Sequence, residues 1–361
     1  MRVNGKAIVG IALSVLLLWW TLRDVSLAHV WHEVRMADPV LFSAAIVIAT
    51  LGLVPRAIRW GILLRPVARH LPFRPRFAAT SIGFAANNLL PARVGEFARA
   101  FALSRLARVP APAAFGSLVI ERILDGIVVV ALLFAAMASP SFPALGSAGV
   151  NVRGAAIVLV AVMIAVAVVL FLLVLAPERS AAVLERIAIR TLPESFRRPV
   201  IDALHSFLGG LSVLRDGRLF MLSLAWAVGQ WVFLAFSFWL AFLAFGIHEV
   251  GLVGAFFLQS LIALAVAIPS SPGFFGPFEA AAKLGLGLWG VPTEKSVPFA
   301  VGFHIGGFIP VTLIGMWYVW RMGLSWKDVG RSEEVVETQV ERAYGLDGTG
   351  DAAGEERSGR A

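Results

Sequence analysis

The chain has 361 residues, 58% hydrophobic and 15% charged, with a mean hydropathy of +0.82 and no cysteine. This is more apolar than a soluble core of that length needs, and it excludes disulfides, thiolate metal sites and cysteine nucleophiles; it points to a polytopic membrane protein, whose helices each need about 20 apolar residues to cross ~30 Å of hydrocarbon. The formal charge of +8 gathers in a few loops between apolar runs, which is the positive-inside bias of membrane proteins and not a nucleic-acid footprint, so no nucleic acid is expected as a partner.

In chain order, Arg2 and Lys6 precede the apolar run Ala7–Leu22, and the first span, about Lys6–Leu22, reads as a retained signal anchor because Arg23, Asp24 and further apolar runs follow. Arg23–Asp38 reads as a mixed-charge outer loop. The second span, Val40–Leu64, ends in Arg56, Arg59 and Arg65, and Arg69, Arg74 and Arg76 follow, which marks the cytoplasmic side. Phe77–Ala100 is flanked by this cluster and by Arg105 and Arg108. Its ~24 residues reach only ~36 Å as one helix, too short to cross twice. Pro91 disfavours helix at Leu90, so the segment is expected to break near Asn88–Leu90 and return as a re-entrant hairpin. A full crossing is the competing topology, and it would place the arginine-rich 178–218 segment outside.

Ala113–Ala138 is the third full span and carries Glu121, Arg122 and Asp125; an uncharged Ser/Pro/Gly loop follows. Gly154–Ala176 is the fourth. Residues 178–218 return to mixed charge with an amphipathic stretch from Val200 to Leu214, expected at the cytoplasmic face or along the interface. Leu219–Phe245 is the fifth span. Gly251–Pro269 then runs inward to IPSSPGFFGPFE, Ile268–Glu279, whose three prolines and two glycines cannot continue an α-helix. This second broken hairpin ends outside. Val297–Trp320 is the sixth span, with Trp317, Trp320 and Trp326 as an interfacial belt. The expectation is an all-α polytopic domain over 1–321, with about six full transmembrane helices and two re-entrant or broken hairpins in an inverted arrangement. A largely disordered tail over 322–361, with a short helix around Glu333–Ala343, and both termini inside complete the reading.

The polar residues within these apolar segments carry the functional signal, because a charge at the bilayer centre costs roughly 2.5–3.5 kcal/mol on insertion scales. Arg93, Glu96 and Arg99 are three apart and share a helix face, with Asn87 and Asn88 beside them. Two readings stand: an ion triad that locks the hairpin, or a seat for an anionic head group, whose phosphate guanidinium forks bind bidentately. Glu121 and Asp125, one turn apart, need a cation, with Arg93 or Arg99 the natural partners and Arg122 within reach of Asp125. Arg56 and Arg59, at an inner helix end, read as snorkelling side chains or as an attraction for anionic lipid. Glu279 follows Pro277 at the start of a half-helix, where it stabilises the N-terminus or faces the cavity that Pro269, Ser270, Ser271 and Gly273 break open. The six histidines are scattered, and no P-loop, HExxH or Gly-x-Ser-x-Gly motif is present. No cofactor, metal site or catalytic residue is assigned, and a transporter is expected in preference to an enzyme.

Taken together, RAIRWGILLRP (Arg56–Pro66), NNLLPARVGEFAR (Asn87–Arg99), IERILDG (Ile120–Gly126) and PSSPGFFGPFEA (Pro269–Ala280) resemble the transmembrane region of the lysylphosphatidylglycerol synthases, also called the flippase-like or UPF0104-type family. The resemblance covers roughly Lys6–Arg321. It implies a bacterial or archaeal inner-membrane protein that moves lipids or lipid-linked groups between leaflets. Its partners would be anionic phospholipids or polyprenyl-phosphate-linked head groups, and also a lipid-modifying enzyme. The full-length synthases add a cytosolic aminoacyltransferase domain, whereas only about 40 polar residues follow the last span here, so lysyl transfer is not implied. A membrane-embedded lipid-modifying enzyme and a non-catalytic partner subunit of a lipid or glycolipid pathway are the alternatives.

Overall fold

The computed structural model describes residues 5–90, 94–143, 216–267 and 271–332. The expected fourth span, most of the 178–218 segment, Pro91, Arg93, Pro269, Ser270 and the expected tail helix lie outside them. The described residues are all-helical, with no strand among them. Three of their helical segments are long and apolar enough to cross a membrane: Pro39–Leu63, Gly217–Ala244 and Thr293–Arg321. A fourth is reached if the bent pair Gly10–Leu22 and Leu27–Met36 is one span.

Helix α1, Gly5–Leu22, is followed by α2, Leu27–Met36, where a loop was expected. The signal for α2 is local: the Ser26 hydroxyl accepts the His29 N–H and caps the helix. Asp38 then caps α3, Pro39–Leu51, through the Val40 and Leu41 N–H groups, with Pro39 at the tolerant first position. The expected second span is two helices, because α3 gives way at Gly52 to α4, Leu53–Leu63. A side chain at Gly52 would run into Leu234 of the neighbouring α8, Gly217–Ala244.

The first broken hairpin is α5, Phe73–Leu89, and α6, Gly95–Ala107. Leu90 is extended at φ −108°, ψ 145°, the conformation that a following proline imposes. With ~1.5 Å of rise per residue, neither arm reaches the ~30 Å of a hydrocarbon core. The arms meet closely at Gly83 and Gly95, where a Cβ on either would strike the opposite backbone. The Asn87 Oδ1 accepts the Gly95 N–H at 2.8 Å, so one arm caps the other. Helix α7, Ala111–Met137, is long enough to cross, but Glu121, Arg122 and Asp125 put three charges within five residues at its middle.

The second hairpin is α9, Gly251–Ala265, and α10, Pro277–Gly287, joined through a 3-10 turn at Pro272–Phe274. The turn uses left-handed residues at Gly273, Phe274 and Gly276. That conformation is ordinary for glycine but costs a bulky residue such as Phe274 of order 1–3 kcal/mol. Helix α11, Thr293–Arg321, packs antiparallel to α5, and the short α12, Trp326–Gly330, closes the described chain.

Among the described residues two large apolar cores result, with two smaller clusters around Val30 and Leu133. One large core surrounds Trp60, Ile82, Leu103 and Leu118 of α4 to α7; the other surrounds Phe242, Leu258, Phe299 and Phe303 of α8, α9 and α11. Arg74, Arg105 and Arg321 line one cleft, so both flanks of the α5–α6 hairpin share an end of the molecule with the C-terminus of α11. The α9–α10 hairpin opens at the opposite end, where Lys283 of α10 reaches Asp24 and the last carbonyls of α1. The 3-10 turn of the second hairpin packs against α5 of the first.

Candidate functional site

Between the two cores lies a cavity of about 620 Å³ lined by both broken hairpins and by α4, α7, α8 and α11. Arg56, Asn87, Asn88, Glu96, Arg99, Arg122 and Asp125 line one side, and Phe274, Phe278 and His304 line the other. Their polar groups are tied together largely through residues far apart in sequence.

Arg99 of α6 forms a two-pronged contact with Glu121 of α7, Nη1 to Oε1 at 2.7 Å and Nη2 to Oε2 at 3.3 Å. Its second donor also reaches the Thr80 hydroxyl, and its guanidinium lies 4.4 Å from the centre of the Trp60 ring. Arg59 of α4 donates to Asp125 Oδ1 at 2.6 Å and stands 3.6 Å from Glu121. Arg122 donates to Glu121 Oε1 at 2.7 Å and approaches Asp125 at 3.7 Å and Glu96 at 3.9 Å. Arg56 faces Asp125 at 4.0 Å and lies over the rings of Phe84 and Trp231. The Trp231 indole N–H also donates to Asp125 Oδ1, and its backbone carbonyl accepts from Gln259.

These contacts correct two expectations. Arg59 does not snorkel: it is fully buried, because α4 continues under the hairpin and turns this residue onto α7. Glu96 and Arg99 do not pair with each other within a helix; each finds its counter-charge on α7, Glu96 with Arg122 and Arg99 with Glu121. Arg122 does come within reach of Asp125, and Arg99 is the cation that Glu121 needed.

The balance of charge defines what the cluster can bind. Arg56, Arg59, Arg99 and Arg122 face Glu96, Glu121 and Asp125, an excess of one positive charge among the described residues. Arg59 and Glu121 are sealed behind the wall, whereas the Arg122 side chain is 41% exposed and faces the cavity. Among the described residues Arg59 Nε and Nη2 and Arg99 Nε have no hydrogen-bond partner, and all three are sealed from the cavity, Arg59 Nη2 standing 3.6 Å from Glu121. The guanidinium groups that do line the cavity, those of Arg56, Arg99 and Arg122, suit a phosphate or carboxylate.

Across the cavity the polarity is closed. One Glu279 oxygen accepts the Gly276 N–H at 2.6 Å, which caps α10; the other meets His304 Nδ1 at 2.6 Å. The His304 ring stacks 4.1 Å from Phe278 and 4.7 Å from Phe275. Glu279 is therefore a helix-start residue that also borders the cavity wall through His304. Sequence reading passed over His304, Trp231 and Gln259; the signal for His304 was an ionisable side chain within the last apolar span. Ser271 lies against α1, its N–H donating to Ser14 Oγ at 2.8 Å, and Gly273 packs on Phe308. Asn88 donates to Thr312 Oγ1 of α11 at 2.7 Å. Among the described residues no group of three His, Asp or Glu is placed to hold a metal ion.

The family model described as "Lysylphosphatidylglycerol synthase TM region" matches residues 7–315. The chain is 29% identical over 302 residues to "Glycosyltransferase AglD" of Haloferax volcanii, a match covering 76% of this chain and 47% of that protein. It is 25% identical over 337 residues to a "UPF0104 membrane protein" of Methanothermobacter thermautotrophicus, covering 86% of this chain and 94% of that protein. A second UPF0104 membrane protein of the same organism is 26% identical over 320 residues, at 84% and 90% coverage. The chain thus spans about half the length of AglD and most of the length of the other two.

Proposed function

This chain belongs to the lysylphosphatidylglycerol synthase TM region family, a multi-pass membrane protein, and from that premise we propose that it is a lipid translocase. An anionic lipid, or a lipid-linked head group, enters the cavity between the two broken hairpins while its tails stay in the bilayer. The hairpins dip into the membrane from opposite faces, the first from the cytoplasm, and both termini are cytoplasmic. Arg56, Arg99 and Arg122, with Arg93 beside them in sequence, attract the head group; Asn87 and Asn88 fix the hairpin that presents them. Glu121 and Asp125 hold the guanidinium groups in place. The observation that carries this reading is the positive excess of one, among the described residues, on the wall of a 620 Å³ cavity bordered by both helix breaks.

Reconstitution tests it. Vesicles containing the protein are expected to move a labelled anionic phospholipid or polyprenyl phosphate between leaflets faster than protein-free vesicles, with the lipid recovered at unchanged mass. Equal rates with and without protein would overturn the reading. A second reading, a lipid-modifying enzyme or a subunit serving one, draws on the glycosyltransferase name of the Haloferax relative, which extends well beyond the matched region. It requires a lipid product of altered mass, or an enzyme that co-purifies with the chain.

A further inference from the structure

The central cavity leaves unexplained a second cleft of about 860 Å³ at the basic end of the molecule, which shares no lining residue with it. Three guanidinium groups from three helices line this cleft: Arg74 from the first turn of α5, Arg105 from the last turn of α6, and Arg321 at the end of α11. All three are exposed, and none has a carboxylate within 4.0 Å among the described residues. Among the described residues no acidic side chain lines the cleft. Asp328, whose charge acts on Arg105, lines the adjoining hollow together with Arg105 itself, Arg108 and Arg331, and its carboxylate is engaged by Ser325.

Helix dipoles account for two of the three positions, since a cation is stabilised at a helix C-terminus. They do not account for Arg74, which stands at the positive end of α5. Its neighbour Arg76 shows how a structural arginine behaves there, turning back to donate to the carbonyls of Pro72, Ala57 and Ile58. Among the described residues Arg74 makes no such contact, and it lines the cleft instead. The remaining lining is amphipathic. Trp317 lies under the Arg321 guanidinium at 5.1 Å, and Leu106, Met322 and Leu324 supply an apolar floor. Arginine forks over an aromatic and aliphatic base at the end of a membrane-spanning helix match a phosphate that arrives attached to glycerol and acyl chains.

We propose that this cleft binds the phosphate of an anionic phospholipid head group from the leaflet at this end. Arg74, Arg105 and Arg321 take the phosphate, and Trp317 and Leu106 take the first carbons of the lipid. The bound lipid is a resident partner distinct from the cargo of the central cavity, so the two sites stand or fall separately.

The test uses the full chain in phosphatidylcholine nanodiscs titrated with phosphatidylglycerol, with bound lipid counted by native mass spectrometry. Arg105→Gln/Arg321→Gln is expected to weaken phosphatidylglycerol retention about tenfold or more, given the usual attraction of an anionic surface for each lost arginine. Arg65→Gln/Arg69→Gln removes the same charge from exposed arginines outside the cleft and is expected to leave retention unchanged. Unaltered thermal unfolding of both variants verifies folding. Equal losses in the two variants would show diffuse attraction and overturn the site, as would no loss in either. Inorganic phosphate is the second probe: if it displaces the lipid at matching concentration, the cleft reads free phosphate and the lipid assignment fails.

Discussion

The two sides of the central cavity hold buried charge in different ways. On the α4–α7 side, four guanidinium groups share three carboxylates, and a positive excess remains. On the α10–α11 side, Glu279 spends one oxygen on its own helix start and the other on His304, and the ring is clamped between two phenylalanines. An unbalanced cluster attracts a counter-charge, whereas a closed pair fixes a shape. On the proposed function the first side is the recognition surface and the second is the brace that holds the α9–α10 hairpin against it.

Mutations that separate the two roles are expected to rank as follows. Glu121→Ala strips the shared acceptor from Arg99, Arg59 and Arg122 and should be the most damaging, at about 3–5 kcal/mol, because it strands buried guanidinium groups; thermal unfolding in detergent measures the loss. Glu279→Gln should cost about 1–3 kcal/mol through the weakened cap and the unpaired His304, yet leave head-group selectivity intact in a transport assay. A change in selectivity with this variant would break the division of labour. Asn88→Ala removes the tie from the first hairpin to Thr312 and is expected to cost roughly 0.5–1.5 kcal/mol. The smallest effect lies outside the membrane. The Ser325 N–H and hydroxyl hold the Asp328 carboxyl below its usual pKa. A depressed carboxyl adds stability above its ordinary pKa and loses it as pH falls through the lowered value. Ser325→Ala should return the Asp328 titration, followed by carboxyl NMR, toward the usual aspartate range.

Much of this arrangement was legible in the sequence because its causes are local. Pro91 announces the end of α5 at Leu89, and Pro272 and the two glycines of Ser271–Gly276 announce the turn of the second hairpin. The charges of α7 could be noticed because hydrocarbon makes them costly, and Arg99 could be proposed as a partner. The burial of Arg59 was not legible: spacing places it at a helix end, and only the packing of α4 beneath α5 and against α7 turns it inward. The Glu279–His304 pair spans 25 residues and two helices, so no periodicity joins them. Helix α2 was missed for another reason, since its charged residues resemble a loop while the Ser26 cap that starts it is a single residue.

The central claim is that positive charge on the cavity wall recognises the moving head group, and Arg122 tests it most directly. Its side chain is half-exposed to the cavity, and Glu121 keeps Arg99 and Arg59 when it is removed. In proteoliposomes carrying labelled anionic and zwitterionic lipids, Arg122→Gln is expected to lower transbilayer movement of the anionic lipid about tenfold, in line with the loss of one charge-assisted contact of ~1.5 kcal/mol, and to spare the zwitterionic lipid. Wild-type rates for the anionic lipid in a correctly folded Arg122→Gln protein would contradict the account.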